Sequence, residues 1–186
     1  MYGIVCHSVG FVNHCMQAGE LRSETQSQLG PSPGEMPEPA PARQLEVLLA
    51  EDNEFDVHVT VAAFRDARVP SRLHCVPDGE AALAFLRRRG EHEHAPRPDL
   101  ILLDLNMPKM NGLEVLEEIK ADPSLKNIPV VIVSGYIHEG DIKRAYELQV
   151  SAFLMKPSEV DEYFAAVRSL KELWVHAASL APKPDP

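Results

Sequence analysis

Asp99-Leu100-Ile101-Leu102-Leu103-Asp104-Leu105-Asn106-Met107-Pro108 sets an unbroken apolar run between two acids and closes it with a proline turn. A short run of branched and apolar residues bounded by turn signals reads as a strand buried on both faces, the kind found in parallel sheets covered by helices. Asp104 then stands at the C-terminal mouth of that strand. In open α/β sheets this rim is where ligands bind, because helices cover both faces and the loops beyond the strands line the exposed crevice. A second run, Leu45-Glu46-Val47-Leu48-Leu49-Ala50, ends in Glu51-Asp52-Asn53. If the two strands are parallel neighbours, three carboxylates reach the same rim, and acids gathered in one crevice need a cation.

Working outward, short apolar runs alternate with helical patterns. Strands are predicted near 45–50, 71–76, 99–103, 129–133 and 151–155, and helices near 54–67, 78–89, 112–121, 140–148 and 159–179. Five βα units in succession imply a doubly wound α/β fold: a five-stranded parallel sheet, right-handed crossovers and helices on both faces. Asn53 with Asp56 resembles a capping box at the first helix, and Asp78-Gly79 and Asn111-Gly112 mark the turns into two others. Residues 1–43, with the proline-rich tract Gly30 to Pro41, have no sustained period and are expected to be disordered, as is the tail 181–186. Met36 stands just before the coherent part, where translation is expected to begin. The domain itself is placed at 44–180.

The chain has 186 residues, 45% of them hydrophobic, enough for one ordinary core and too few for an added output domain. Its net charge of -10 argues against nucleic acid and anionic membranes, whose phosphates need clustered Lys and Arg. A protein partner is expected instead. Cys6, Cys15 and Cys75 are odd in number and lack metal spacing, which fits a reducing compartment, and no apolar stretch spans a bilayer, so the cytoplasm is the expected location.

Each candidate site residue lies just past the last apolar residue of its run: Glu51 and Asp52 after the first strand, Asp104 after the third, Ser134 after the fourth and Lys156 after the fifth. Taken singly, each has an ordinary explanation. Asp104 can cap a turn, Glu51-Asp52-Asn53 can cap a helix, and Ser134 and Lys156 can be surface residues. The shared rim makes them a site. Two carboxylates and a backbone carbonyl suffice for Mg²⁺, which prefers oxygen ligands and keeps several waters. Asp104 is then placed to act as a nucleophile on a phosphoryl group, with the Lys156 ammonium and the Ser134 hydroxyl on the transferring oxygens. Gly135 is expected to leave that approach open. His58, His74, His92, His94 and His138 do not converge and read as surface or satisfied histidines.

The run Asp104-Leu105-Asn106-Met107-Pro108-Lys109-Met110-Asn111-Gly112, with Glu51-Asp52, Ser134 and Lys156-Pro157, resembles a response-regulator receiver domain of two-component signalling over about residues 44–175. The resemblance implies a flavodoxin-like receiver in which Asp104 accepts phosphate from a sensor histidine kinase. It further implies that Asp52, Asp104 and the Asn106 carbonyl bind Mg²⁺ with Glu51 assisting through water, and that a cis peptide precedes Pro157. Ser134 and Phe153 would form its switch pair, Phe153 standing where tyrosine is commoner. Asn111 stands where the family usually has Asp, a variation in the turn. The Glu-Asp-Asn start, Arg97-Pro98-Asp99 and the last helix with Trp174 are similar to stand-alone regulators associated with phytochrome-type kinases. Those relatives imply a homodimer through the last helix, where Leu170, Leu173 and Trp174 leave apolar surface beyond one stripe.

Two other classes use the same fold. A Mg²⁺-dependent phosphatase has an Asp nucleophile but needs a second acid nearby, at the place Asn106 holds, and a lid domain. A flavin- or nucleotide-binding module needs helix amides facing its phosphate, where Glu51-Asp52 would repel it.

Overall fold

The computed structural model describes residues 4–6, 44–136, 138–157 and 159–171. The strands are β1 (Ile4–Cys6), β2 (Leu45–Ala50), β3 (Ser71–Val76), β4 (Leu100–Leu103), β5 (Val130–Ser134) and β6 (Ala152–Met155). The helices are α1 (Glu54–Asp66), α2 (Gly79–Leu86), α3 (Gly112–Ala121), α4 (Glu139–Glu147) and α5 (Val160–Lys171). The sheet order is β1-β3-β2-β4-β5-β6, and every pairing is parallel. The five expected strands and five expected helices are all present.

One element departs from expectation. Ile4–Cys6, inside the segment read as disordered, pairs with β3 and adds an edge strand to the sheet. An edge strand presents a row of unpaired backbone groups, and a short β-branched segment such as Ile4-Val5 suits it, even without the alternation that betrays a longer strand.

Alternation along each strand builds two cores, one on each face. Leu48, Ala50, Val76, Ile101, Leu103 and Ile132 face α2 and α3, packing on Phe85, Val115, Leu116 and Ile119. Val47, Leu49, Leu73, Leu102 and Val131 face α1 and α5, packing on Ala63, Phe64, Tyr163 and Val167. All of β4 is buried, as its uninterrupted apolar run required. Burying a Leu or Ile side chain stabilises by about 1.5–3 kcal/mol, so the central strands anchor the loops at their ends.

Register then sets the site. Ala50 pairs with Leu103, so Glu51 and Asp104, the next residues, leave adjacent strands at the same level. Leu103 pairs with Ile132 and Ser134 with Met155, which brings Ser134 and Lys156 to the same rim.

Candidate functional site

Backbone bonds fix the rim before any side chain is considered. Glu51 N–H donates to Val76 O at 3.0 Å, Asp104 N–H to Ala50 O at 3.0 Å and Lys156 N–H to Ser134 O at 2.9 Å. The loop after Asp104 folds back on itself, with Gly112 N–H donating to Leu105 O at 3.0 Å. A Cβ on Gly112 would lie 2.2 Å from the Asp104 carbonyl oxygen, so only glycine permits this approach. Asn111 caps α3 with a complete capping box: its side chain accepts from Glu114 N–H at 3.0 Å, and Glu114 accepts from Asn111 N–H at 2.9 Å. Asparagine therefore serves this turn well in place of aspartate.

The side chains converge as the sequence predicted. Oxygen atoms of Glu51, Asp52 and Asp104 all lie within 4.8 Å of one another, with Glu51 and Asp104 buried and Asp52 exposed. Asp104 Oδ1 accepts from Leu105 N–H at 2.9 Å. Lys156 Nζ donates to Glu51 Oε2 at 2.5 Å and to Asp56 Oδ2 at 2.9 Å, and lies 3.7 Å from Asp104 Oδ1. On the other flank Asn106 Nδ2 donates to Ser134 Oγ at 3.3 Å, and the fully buried Ser134 hydroxyl donates to Tyr136 O at 3.0 Å.

Burial dominates the electrostatics. It pushes the Glu51 carboxyl up to about 7, against the pull of Lys156 and helped by the nearby charge of Asp104. Burial likewise lifts Asp104, opposed by Lys156 and by the N–H groups of Leu105 and Asn106. Burial would depress the Lys156 ammonium, but hydrogen bonds to Glu51 and Asp56 more than offset this and hold it above the ordinary lysine range. The pocket thus holds a fixed positive charge beside acids that ionise reluctantly. An all-oxygen donor set of this kind fits a hard divalent cation, which would relieve the repulsion burial amplifies.

Several expectations need correction. No described peptide bond is cis, so Lys156-Pro157 is trans. The two X-Pro isomers differ by only about 0.5–1 kcal/mol, so sequence alone does not decide between them. Asp56 does not complete a box with Asn53. Asn53 Oδ1 accepts from Phe55 N–H at 2.9 Å and Asp56 N–H at 3.4 Å, but the Asn53 N–H goes to Glu51 Oε1 at 3.2 Å. Phe153 is half-buried against the core on the α2/α3 face, and Leu170 is half-buried against the other. Leu173 and Trp174 lie outside the described residues.

Two functional features escaped sequence reading. Asp56 joins the lysine, and Lys109 Nζ donates to Asp78 Oδ2 at 2.6 Å, tying the loop after Asp104 to the start of α2. Asp78 also caps α2 through Ala81 N–H at 2.8 Å. Both pairs join residues remote in the chain, and no periodicity announces such a meeting.

Comparison with known proteins settles the family, since residues 47–168 match the response regulator receiver domain. The chain belongs to the response regulator receiver family. This receiver is 40% identical over 134 residues to response regulator Rcp1 of Synechocystis sp., covering 72% of this chain and 91% of that protein. It is 37% identical over 131 residues to a probable methanogenesis regulatory protein, FilR2, of Methanothrix harundinacea, covering 69% and 83%. Among solved structures, the phosphorylated cyanobacterial phytochrome response regulator RcpA superposes with a TM-score of 0.72 at 43% identity, covering 75% of this receiver and all of that chain. The Mn²⁺-bound form of Rcp1 gives 0.70 at 39% identity, covering 74% and 99%. No helix among the described residues is long and apolar enough to cross a membrane.

Proposed function

We propose that this receiver accepts a phosphoryl group on Asp104 from a sensor histidine kinase, in a Mg²⁺-dependent reaction, and passes the signal on through changed protein contacts or phosphorelay. The observation that carries this reading is the placement of the Asp104 carboxylate at the rim, grouped with Glu51 and Asp52 and 3.7 Å from the Lys156 ammonium. A carboxylate oxygen of Asp104 attacks phosphorus, the phosphorus–nitrogen bond of the donor phosphohistidine breaks, and the bonding pair returns to the imidazole. The product is an acyl phosphate. Glu51, Asp52, Asp104 and the Asn106 carbonyl would hold Mg²⁺, which when bound neutralises charge on the acids and the transferring oxygens.

This chain's own groups do the rest. The Leu105 N–H orients Asp104 through Oδ1. Lys156 supplies a permanent ammonium for one phosphoryl oxygen, and Ser134 supplies a hydroxyl for another once it leaves the Tyr136 carbonyl. Displacing Ser134 also breaks its bond from Asn106, and the adjoining surface around Phe153 and α4 would respond. That RcpA is a phytochrome response regulator supports a phytochrome-type kinase as donor. The sequence of Leu170, Leu173 and Trp174 supports a homodimer. A monomer by light scattering at tens of micromolar would remove that part.

The test is incubation with acetyl phosphate and Mg²⁺ followed by intact-mass measurement. A gain of one phosphoryl group in the native chain and none in Asp104→Asn supports the reading. Sustained turnover of a small phosphate ester would instead favour the phosphatase class.

A further inference from the structure

The third residue of α1 is an acid that ignores its own helix. Asp56 leaves the Asn53 N–H to Glu51 and sends its carboxylate across to Lys156 Nζ at 2.9 Å, with its side chain 30% exposed. The three carboxylates grouped for a cation are Glu51, Asp52 and Asp104, so Asp56 lies outside that set. It sits instead in a groove between α1 and α5, lined also by Phe55, Val59, Pro157 and Val160, into which Lys156 reaches. Lys156 is thus divided between two places. Its hydrogen bonds go to Glu51 and Asp56, while Asp104 at 3.7 Å lies beyond hydrogen-bond reach.

We propose that Asp56 is a positioning residue that holds the Lys156 ammonium toward α1 in the resting receiver, and that its hold sets how readily the pocket takes up a phosphoryl group. This rests on the phosphoacceptor reading of Asp104. An ammonium has three donors on a flexible stem, and a phosphoryl group on Asp104 replaces one carboxylate charge with close to two negative charges on three strong acceptor oxygens. Lys156 closes the distance to Asp104 only by loosening its bond to Asp56. The resting ion pair therefore competes with phosphoryl binding. Because Asp56 is partly exposed, water screens the pair, and the competition amounts to a few-fold effect.

The experiment measures the phosphorylation rate of the full chain against acetyl phosphate concentration at saturating Mg²⁺, and Mg²⁺ affinity separately without donor. Asp56→Asn is expected to lower the half-saturating acetyl phosphate concentration about two- to fivefold with the plateau rate unchanged. It should also weaken Mg²⁺ binding, since the released ammonium moves toward the acids. Asp56→Glu, which keeps the charge, restores native behaviour, and Asp56→Ser serves in place of Asp56→Asn if that variant does not fold. A half-saturation equal to the native value in folded variants, or a loss of plateau rate alone, overturns the proposal. If the native chain takes no phosphoryl group, the phosphoacceptor reading itself falls and this inference with it.

Discussion

The Lys156 ammonium lies 2.5 Å from Glu51 Oε2 and 3.7 Å from Asp104 Oδ1, so the resting pocket bonds its lysine to the acid that follows β2 and leaves the Asp104 carboxylate within its field but not hydrogen-bonded to it. Removing the ammonium would leave two buried carboxyls facing each other. Breaking a buried pair by deleting one partner costs about 3–5 kcal/mol, and the partial exposure here argues for the lower end. Lys156→Met is therefore expected to unfold at lower urea in chelator. Since a divalent cation replaces part of the lost charge, Mg²⁺ should raise the thermal midpoint of the variant by more than that of the native chain. An equal Mg²⁺ increment in the two proteins would contradict it.

Acid behaviour follows from Glu51. Its carboxyl is pushed up to about 7 from an ordinary value of 4.5, chiefly by burial. The folded chain therefore binds this proton more tightly than the unfolded chain does. The resulting stability is complete below about pH 4.5 and is lost as pH rises through about 7. Asp104, raised by burial, acts in the same sense. Asp78 is lowered, its burial overcome by the Lys109 ammonium together with the N–H groups of Ala81 and Glu80, and Asp122 is lowered by its hydrogen bonds from Ser124. These two act oppositely, their stability present above 3.8 and lost below it. Thermal midpoints in chelator should thus peak at about pH 4 and fall between about pH 4.5 and about pH 7, levelling off above that. Glu51→Gln should flatten that fall. A native profile flat across the window would show Glu51 ionised throughout.

What the sequence disclosed and what it withheld divide along a physical line. The Leu100–Leu103 run is apolar on both faces, so it can only be a central strand, and once it is central the acids at Glu51, Asp52 and Asp104 must share a rim. Register did the rest, because Ala50 and Leu103 are partners. Asp56 could not be read this way. As the third residue of a helix after Asn53 it matches a cap, and only the distance to a lysine one hundred residues later reveals its use. The Lys109 to Asp78 pair was hidden for the same reason. The isomer before Pro157 was hidden because its energetic margin is small, and Ile4–Cys6 because three residues carry no period.

The loop that carries Asn106 offers a separate check. Lys109 has a φ of 64°, in the left-handed region, and Met110 N–H donates to Pro108 O at 2.7 Å, closing a three-residue turn about it. Such turns are strained for a residue with a side chain. The strain is held in place by the bond from Lys109 Nζ to Asp78. Lys109→Met keeps the strain and removes the tether, so amide hydrogen exchange across 106–110 should quicken and Mg²⁺ affinity should fall, while Lys109→Gly relieves the strain and should lose less of the loop's protection. Equal exchange in native and Lys109→Met would mean the turn holds without Asp78.

Gly112 gives the sharpest steric prediction. A methyl group there would lie 2.2 Å from Asp104 O and 2.9 Å from Leu105 Cα, both backbone atoms that cannot rotate away. Either α3 retreats or the Asp104 peptide tilts. Overpacking of this kind costs about 1–3 kcal/mol, and Gly112→Ala should show it as a lower urea midpoint with an unchanged slope. The two responses differ in their effect on phosphorylation. If α3 retreats, the Asp104 carboxylate keeps its place at the end of β4 and only stability suffers. If the peptide tilts, the Asp104 carboxylate turns away from Lys156 and from Glu51, and uptake from acetyl phosphate slows as well. The Asp104 N–H is tied to Ala50 O and the Gly112 N–H to Leu105 O, so the peptide lies between two fixed points. The expected result is therefore loss of stability together with slowed phosphorylation. A variant as stable as the native chain would mean that the close approach of α3 to Asp104 is absent in solution.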